Sequence, residues 1–197
     1  NSEPVTESRW YEAEYIWVTA ENQGLVTGTY FWPGSEAKIN GTRPTHYGEY
    51  DGDIPNEDRI QKILDWIDLP SSKRPVFMTL YFSDADTWGH QYGPDGTEMN
   101  SVIQKLDGYI GMLTEGLDER DVLDDVNIII TSDHGMTGLS RDRVIFLDDY
   151  IDVYSDSIRI IEWSPVGMVL PVESWVDSIY NSLIGVHPNM AVYRKED

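Results

Sequence analysis

Cysteine is absent from the 197 residues, which excludes thiolate metal ligands, thiol nucleophiles and disulfide bridges. The absence leaves the compartment open, because secreted proteins need not carry disulfides. Basic residues are scarce: 14 Lys and Arg stand against 35 Asp and Glu, a formal net charge of −21. A field of that sign repels duplex nucleic acid. An acidic chain that handles phosphates must borrow positive charge, and bound metal cations are the obvious source. For most of these carboxylates, solubility is explanation enough. No apolar run approaches the roughly 20 residues that cross a bilayer, and the polar beginning of the sequence has no secretory-leader pattern. As written, the chain reads as soluble and globular. Internal repeats, low-complexity tracts and an obvious interdomain linker are also missing.

Apolar residues make up 40% of the chain and aromatics 12%, enough for one domain with a well-buried core. Residues 1–54 are rich in Gly, Tyr, Trp and Pro. Their short apolar runs, Ile16-Trp17-Val18 and Thr29-Tyr30-Phe31-Trp32, predict loops with one or two short strands. Ile60, Ile63, Leu64 and Ile67 recur at helical spacing behind Pro55, which predicts a helix from Pro55 to Leu69. The continuous apolar run from Pro75 to Phe82 predicts a strand buried on both faces. An amphipathic helix follows from Thr97 to Gly116, with Met99, Val102, Ile103, Leu106, Ile110 and Leu113 on one stripe. A second buried strand is expected from Val126 to Thr131. Strand, long helix and strand make a βαβ unit, whose strands should be parallel neighbours or near-neighbours. A strand from Gly167 to Leu170, a helix from Val172 to Leu183 and a short strand from Met190 to Tyr193 complete an α/β layered reading.

Ligands of open parallel sheets bind beyond the carboxyl ends of the strands. Two polar clusters fall there: Ser83-Asp84-Ala85-Asp86-Thr87-Trp88-Gly89-His90 and Ser132-Asp133-His134-Gly135-Met136. Asp and neutral His are first-rank zinc ligands, with bonds of about 2.0–2.2 Å. Asp86 and His90, one helical turn apart, can grip one ion. Asp133 and His134 are adjacent and would share an ion only if the chain kinks, a freedom that Gly135 offers. Taken singly, an Asp after a strand is often a cap or Asx turn, and a loop His is often a satisfied polar group. Two such clusters after successive buried strands, holding two of only four histidines, make Asp86, His90, Asp133 and His134 the candidate metal ligands. Asp84 lacks the one-turn partnership with His90 and is left out. The triplet Asn40-Gly41-Thr42 is a glycosylation acceptor pattern, compatible with the secretory route.

The segments Ile16–Glu21, Gly28-Thr29-Tyr30-Phe31-Trp32-Pro33-Gly34-Ser35-Glu36, Ile39-Asn40-Gly41, Asp86-Thr87-Trp88-Gly89-His90-Gln91-Tyr92-Gly93-Pro94 and Ser132–Met136 occur in the order typical of one family. Through them the chain resembles the ectonucleotide pyrophosphatase/phosphodiesterase family of the alkaline phosphatase superfamily, over most of residues 10–150. The resemblance implies an alkaline-phosphatase-like α/β fold with a mostly parallel sheet flanked by helices. It also implies two zinc ions about 3.5–4 Å apart and a nucleophilic Thr that forms a covalent phospho-enzyme before water releases it. Asp86 and His90 would hold the zinc that activates the attacking water, and Asp133 and His134 the zinc beside the nucleophile. Tyr50 stands where the family stacks a base, Trp32 near the sugar, and Glu36 where relatives often carry a carboxylate. Ordinary packing is the competing explanation for all three.

The family's nucleophile segment has no counterpart upstream of Trp10, and its last zinc-binding His none before Asp197. His187 does not replace that His by position. Residues 1–197 are therefore expected to be the central and C-terminal part of one catalytic domain that needs the missing segments of the same parent. The parent would cleave nucleotide pyrophosphate and phosphodiester bonds, with nucleotides or nucleotide-sugars as substrates and no role for duplex nucleic acid. It would work outside the cell or in the secretory pathway, held at a membrane only by an anchor outside this chain. A phospholipid or choline phosphodiesterase of the same family is one alternative. An incomplete metal-binding or interaction fragment is another.

Overall fold

A computed structural model describes residues 6–163 and 166–196. It divides into two compact units, Asn1–Gly138 and Leu139–Asp197.

The first unit is built on a three-stranded parallel sheet. Strands β1 (Thr27–Tyr30), β2 (His46–Gly48) and β3 (Phe77–Leu80) lie in the order β2-β1-β3. Gly28 sits opposite His46 on one side and Met78 on the other. All four residues of the central strand are buried, as expected for a strand paired along both edges and covered on its faces. Helix α1 (Ile16–Asn22) packs against β1, and helix α2 (Asn56–Ile67) against β1 and β3. The helical spacing seen in the sequence is the stripe that α2 buries: Ile60, Ile63, Leu64 and Ile67, joined by Trp66. Gly28 lets the Trp66 ring lie directly on the strand, since a Cβ there would stand 2.7 Å from Trp66 Cε3.

After β3 come helix α3 (Asp84–Tyr92) and helix α4 (Thr97–Asp118). Ile60, Leu64, Ile67, Tyr109 and Leu117 form the largest part of the α2–α4 core. Burying each such side chain contributes about 1.5–3 kcal/mol. The two helices come close because Gly116 faces Leu64, whose Cδ1 would lie 2.5 Å from a Cβ at that position.

Two expectations fail in this unit. Ile16-Trp17-Val18 opens a helix instead of contributing to loops and short strands. Trp17 and Val18 are both buried while Ile16 is exposed. Neighbours in sequence cannot share one face of a strand, but they can on a helix. The second failure is larger: residues 126–131 form no strand, so the βαβ pair is not closed. Ile129 is 86% and Ile130 71% exposed. An apolar run signals a need for burial, but the sheet forms only where a ladder partner is at hand. Among the described residues none pairs with this segment.

The second unit holds an antiparallel hairpin of β4 (Ile158–Glu162) and β5 (Met168–Pro171), with an irregularity between Ile160 and Glu162. A single 3-10 turn at Glu173–Trp175 leads into helix α5 (Val176–Leu183). Ile151, Ile158 and Leu183 form its core. The expected strand and helix are present here. Strand β4 was not anticipated, and Met190–Tyr193 forms no strand, although Met190 and Val192 pack against this core. Among the described residues no helix is long and apolar enough to cross a membrane.

Candidate metal centre

The carboxyl ends of β1, β2 and β3 run into three segments that carry most of the candidate residues. Helix α3 begins one turn after β3 and presents Asp86 and His90 on the same side, with Asp86 Oδ1 3.3 Å from His90 Nε2. Asp84, at the head of the helix, has a different partner. Asn56 Nδ2 donates to Asp84 Oδ2 at 2.8 Å, tying the start of α2 to the start of α3.

The 132–136 segment reaches the same place without regular structure. His134 Nε2 stands 3.8 Å from Asp86 Oδ1 and 3.6 Å from Asp133 Oδ2. The kink between Asp133 and His134 is not supplied by Gly135, whose φ is not in the left-handed region. The Asp133 carboxylate makes it, accepting the His134 backbone N–H at 3.0 Å. The two ligand segments also touch through Met136, whose sulfur lies against the bare backbone of Gly89, 2.6 Å from where a Cβ would be.

His134 Nδ1 lies 3.0 Å from the Gly135 carbonyl. A carbonyl can only accept, so Nδ1 carries the proton and the Nε2 lone pair is left facing two carboxylates. Electron pairs gathered in this way call for a cation among them. Where no metal is bound, a proton on Nε2 plays the cation's part: the imidazolium persists above the ordinary histidine range, chiefly through the Gly135 carbonyl and then the Asp133 and Asp86 charges. Two carboxylates and two imidazoles suit zinc in donor chemistry. No group of three Asp, Glu or His side chains among the described residues is arranged to hold an ion by itself. Asp86 Oδ1 stands between the two imidazoles, near His90 and His134 alike, and the four side chains do not form a closed cage.

The other two histidines serve elsewhere. His46 Nε2 bonds the Lys73 carbonyl at 2.9 Å, and His187 Nδ1 accepts the Asn189 N–H at 3.1 Å.

Beside the candidate ligands stands an aromatic wall. Tyr50, 51% exposed, meets Phe31 edge to face at 5.5 Å between ring centres and Tyr81 at 6.3 Å. Glu36 fixes its base, with Oε1 accepting the Tyr50 N–H at 2.9 Å. Trp32 is half-buried and packs on the Trp17–Ile39 cluster, as a core residue would. Tyr81 was missed in the sequence because it is hidden in the apolar run from Pro75 to Phe82, just past the end of β3. Burial raises its phenol pKa, and the charges of Asp133, Tyr50 and Asp86 add to the rise. Phe31 has φ +61°, a left-handed backbone that a bulky residue adopts only under constraint. Nothing in its sequence neighbourhood signals that conformation.

Carboxylates and imidazoles gathered at the carboxyl edge of a parallel sheet, with helices on its faces, mark the class as an alkaline-phosphatase-like α/β protein. The family model described as type I phosphodiesterase / nucleotide pyrophosphatase matches residues 1–197. The chain belongs to that family. It is 42% identical over 189 residues to human ectonucleotide pyrophosphatase/phosphodiesterase family member 5, covering 95% of this chain and 39% of the relative. It is 48% identical over 143 residues to a venom phosphodiesterase of Crotalus durissus collilineatus, covering 73% of this chain and 17% of the relative. The solved structure of murine ectonucleotide pyrophosphatase/phosphodiesterase 5 superposes with a TM-score of 0.87 at 39% identity, over 96% of this chain and 50% of that one. The chain therefore spans half or less of the length of these relatives.

Proposed function

We propose that residues 1–197 are the central and C-terminal part of a metal-dependent nucleotide pyrophosphatase/phosphodiesterase that releases nucleoside 5′-monophosphates. The observation that carries this reading is the convergence of Asp86, His90, Asp133 and His134 beside the Tyr50–Phe31–Tyr81 wall. Asp86 with His90 and Asp133 with His134 would each hold one zinc ion, the remaining ligands and the nucleophilic Thr coming from parent segments outside these residues. Zinc bound there would offset phosphate charge and make a bound water more acidic at neutral pH.

The chain's own residues orient and exclude. The Gly135 carbonyl keeps His134 in the tautomer that leaves Nε2 free. Tyr50 offers an open ring face for a base, held by Glu36. Tyr81 keeps its phenolic proton at neutral pH and can donate it. The exposed apolar run of residues 128–130 supports the view that another part of the parent completes the sheet. The aromatic wall suits a nucleobase by stacking, and substrate choice separates it from a choline cation over the same rings. An inactive form of the murine relative, described in complex with AMP, points to the nucleotide.

The Asn40–Thr42 pattern lies on an exposed turn with Asn40 at φ +49° and Gly41 at φ +81°, open to a glycosylating enzyme. Extracellular or secretory residence, with any membrane anchor outside this chain, agrees with that and with the venom relatives.

The test is substrate choice by the purified parent. Hydrolysis of a dinucleoside polyphosphate to nucleoside 5′-monophosphate, well ahead of glycerophosphocholine, is the expected outcome. Preferential release of choline phosphate would replace this reading with the lipid one.

A further inference from the structure

Arg59 is 2% exposed, and no ion pair among the described residues includes it. A buried guanidinium costs several kcal/mol unless its donors are satisfied. Here each of its three nitrogens donates to a backbone carbonyl. Nε donates to the Ile54 carbonyl at 3.0 Å, Nη1 to the Tyr81 carbonyl at 3.2 Å and Nη2 to the Gly52 carbonyl at 3.4 Å. The guanidinium carbon also lies 5.0 Å from the centre of the Phe31 ring.

These contacts belong to three different segments. Phe31 follows β1, residues 52 and 54 follow β2, and Tyr81 follows β3. One side chain on α2 therefore ties together the three chain ends that leave the carboxyl edge of the sheet. Two of its partners, Phe31 and Tyr81, are the rings between which Tyr50 is set. A methionine would pack much of the same space without the cost of a buried charge, but it could not donate to three carbonyls.

We propose that Arg59 is a positioning residue for nucleobase recognition, holding the Phe31, Tyr50 and Tyr81 rings in register. This rests on Tyr50 being the base-stacking face. The carbonyls set the height of the loops, and the cation over Phe31 holds that ring in its left-handed backbone position. A lysine keeps the charge but is a point donor with no planar face. It cannot span the three acceptors.

The test measures kcat and KM of the parent protein for thymidine 5′-(p-nitrophenyl) phosphate and for bis(p-nitrophenyl) phosphate, which has no base. Wild type, Arg59→Lys and Arg59→Met are compared, with zinc content recorded for each. Arg59→Lys is expected to raise KM for the nucleoside ester about 5- to 10-fold, with kcat within about twofold of wild type. Its KM for the base-free ester and its zinc content should stay unchanged. Arg59→Met should show the same selectivity, more strongly, if it folds. Equal changes for both substrates, no change for either, or failure of both variants to fold would overturn the assignment. The wild-type arm tests the earlier reading separately. If both esters have the same KM in wild type, the nucleotide reading fails before any variant is considered.

Discussion

Two segments bring the candidate metal ligands to the same rim by opposite routes. Asp86 and His90 ride on α3, a helix whose first turn is fixed by Asp84 and Asn56. Asp133 and His134 ride on a segment without regular structure, fixed by the Asp133–His134 turn, the Gly135 carbonyl and Met136 against Gly89. The first pair is pre-formed by local sequence, since a one-turn spacing on a helix puts both side chains on one face. The second depends on what surrounds it. The residues leading into it are an apolar run with exposed isoleucines, a strand sequence without a strand's partners. One pair is thus set by local rules, while the other leans on contacts outside regular structure, Met136 against Gly89 among them.

The largest expected effect comes from breaking either pair. Asp86→Ala and Asp133→Ala in the parent should each lower kcat/KM by about a hundredfold to a thousandfold or more. If one substitution were silent, the pairs would not be equal partners and the comparison would collapse to a single site.

Hydrogen exchange sharpens the contrast. Amides of residues 128–130 should exchange nearly as fast as an unfolded chain in the isolated 197 residues and orders of magnitude more slowly in the parent. Amides within α4 should be protected in both. Slow exchange at Ile129 in the isolated chain would show that the segment finds its partner without help.

A smaller effect separates the well-held end of the sheet from the loosely held one. Glu21 accepts from the backbone and hydroxyl of Thr27 and of Thr45, at 2.7–2.9 Å, locking the entries to β1 and β2. Burial alone would raise its pKa. The Thr27 hydroxyl, the Thr45 and Thr27 amides and the Thr45 hydroxyl outweigh that and lower it below the usual 4.5. A lowered folded-state pKa contributes stability that is fully present above the unfolded value and is lost as pH falls through the folded one. Glu21→Gln should therefore cost about 1–2 kcal/mol near neutral pH. The gap to wild type should narrow below about pH 4.5, as read by thermal melts across the acid range. A gap constant with pH would mean that the charge on Glu21 does not matter.

Much of the frame was legible because its signals are local. The spacing of Ile60, Ile63, Leu64 and Ile67 named α2, and the stripe from Met99 to Leu113 named α4. The run after Pro75 named β3. What the sequence could not disclose depends on partners. Val126–Thr131 has the composition of a buried strand, yet pairing is a property of the whole sheet. Ile16–Val18 is too short for its period to separate helix from strand. In the site, Asp86 and His90 could be read as a pair from their spacing alone. The approach of His134 to Asp86 depends on a turn made by Asp133, where Gly135 was expected to provide it. Tyr81 was concealed in an apolar run, and no spacing or motif sets Arg59 apart from the other charges of α2. Only the fold shows that three chain ends meet at its guanidinium.

The central claim is that these four side chains are two halves of one metal centre. The most direct measurement is zinc content together with activity in the parent protein, for wild type and for Asp86→Ala, Asp133→Ala and the double variant. The account predicts about two zinc ions per wild-type chain, with hydrolysis abolished by chelation and restored by zinc, less zinc in each single variant and almost none in the double. Full zinc content in the double variant, or hydrolysis that persists in metal-free protein, would contradict it.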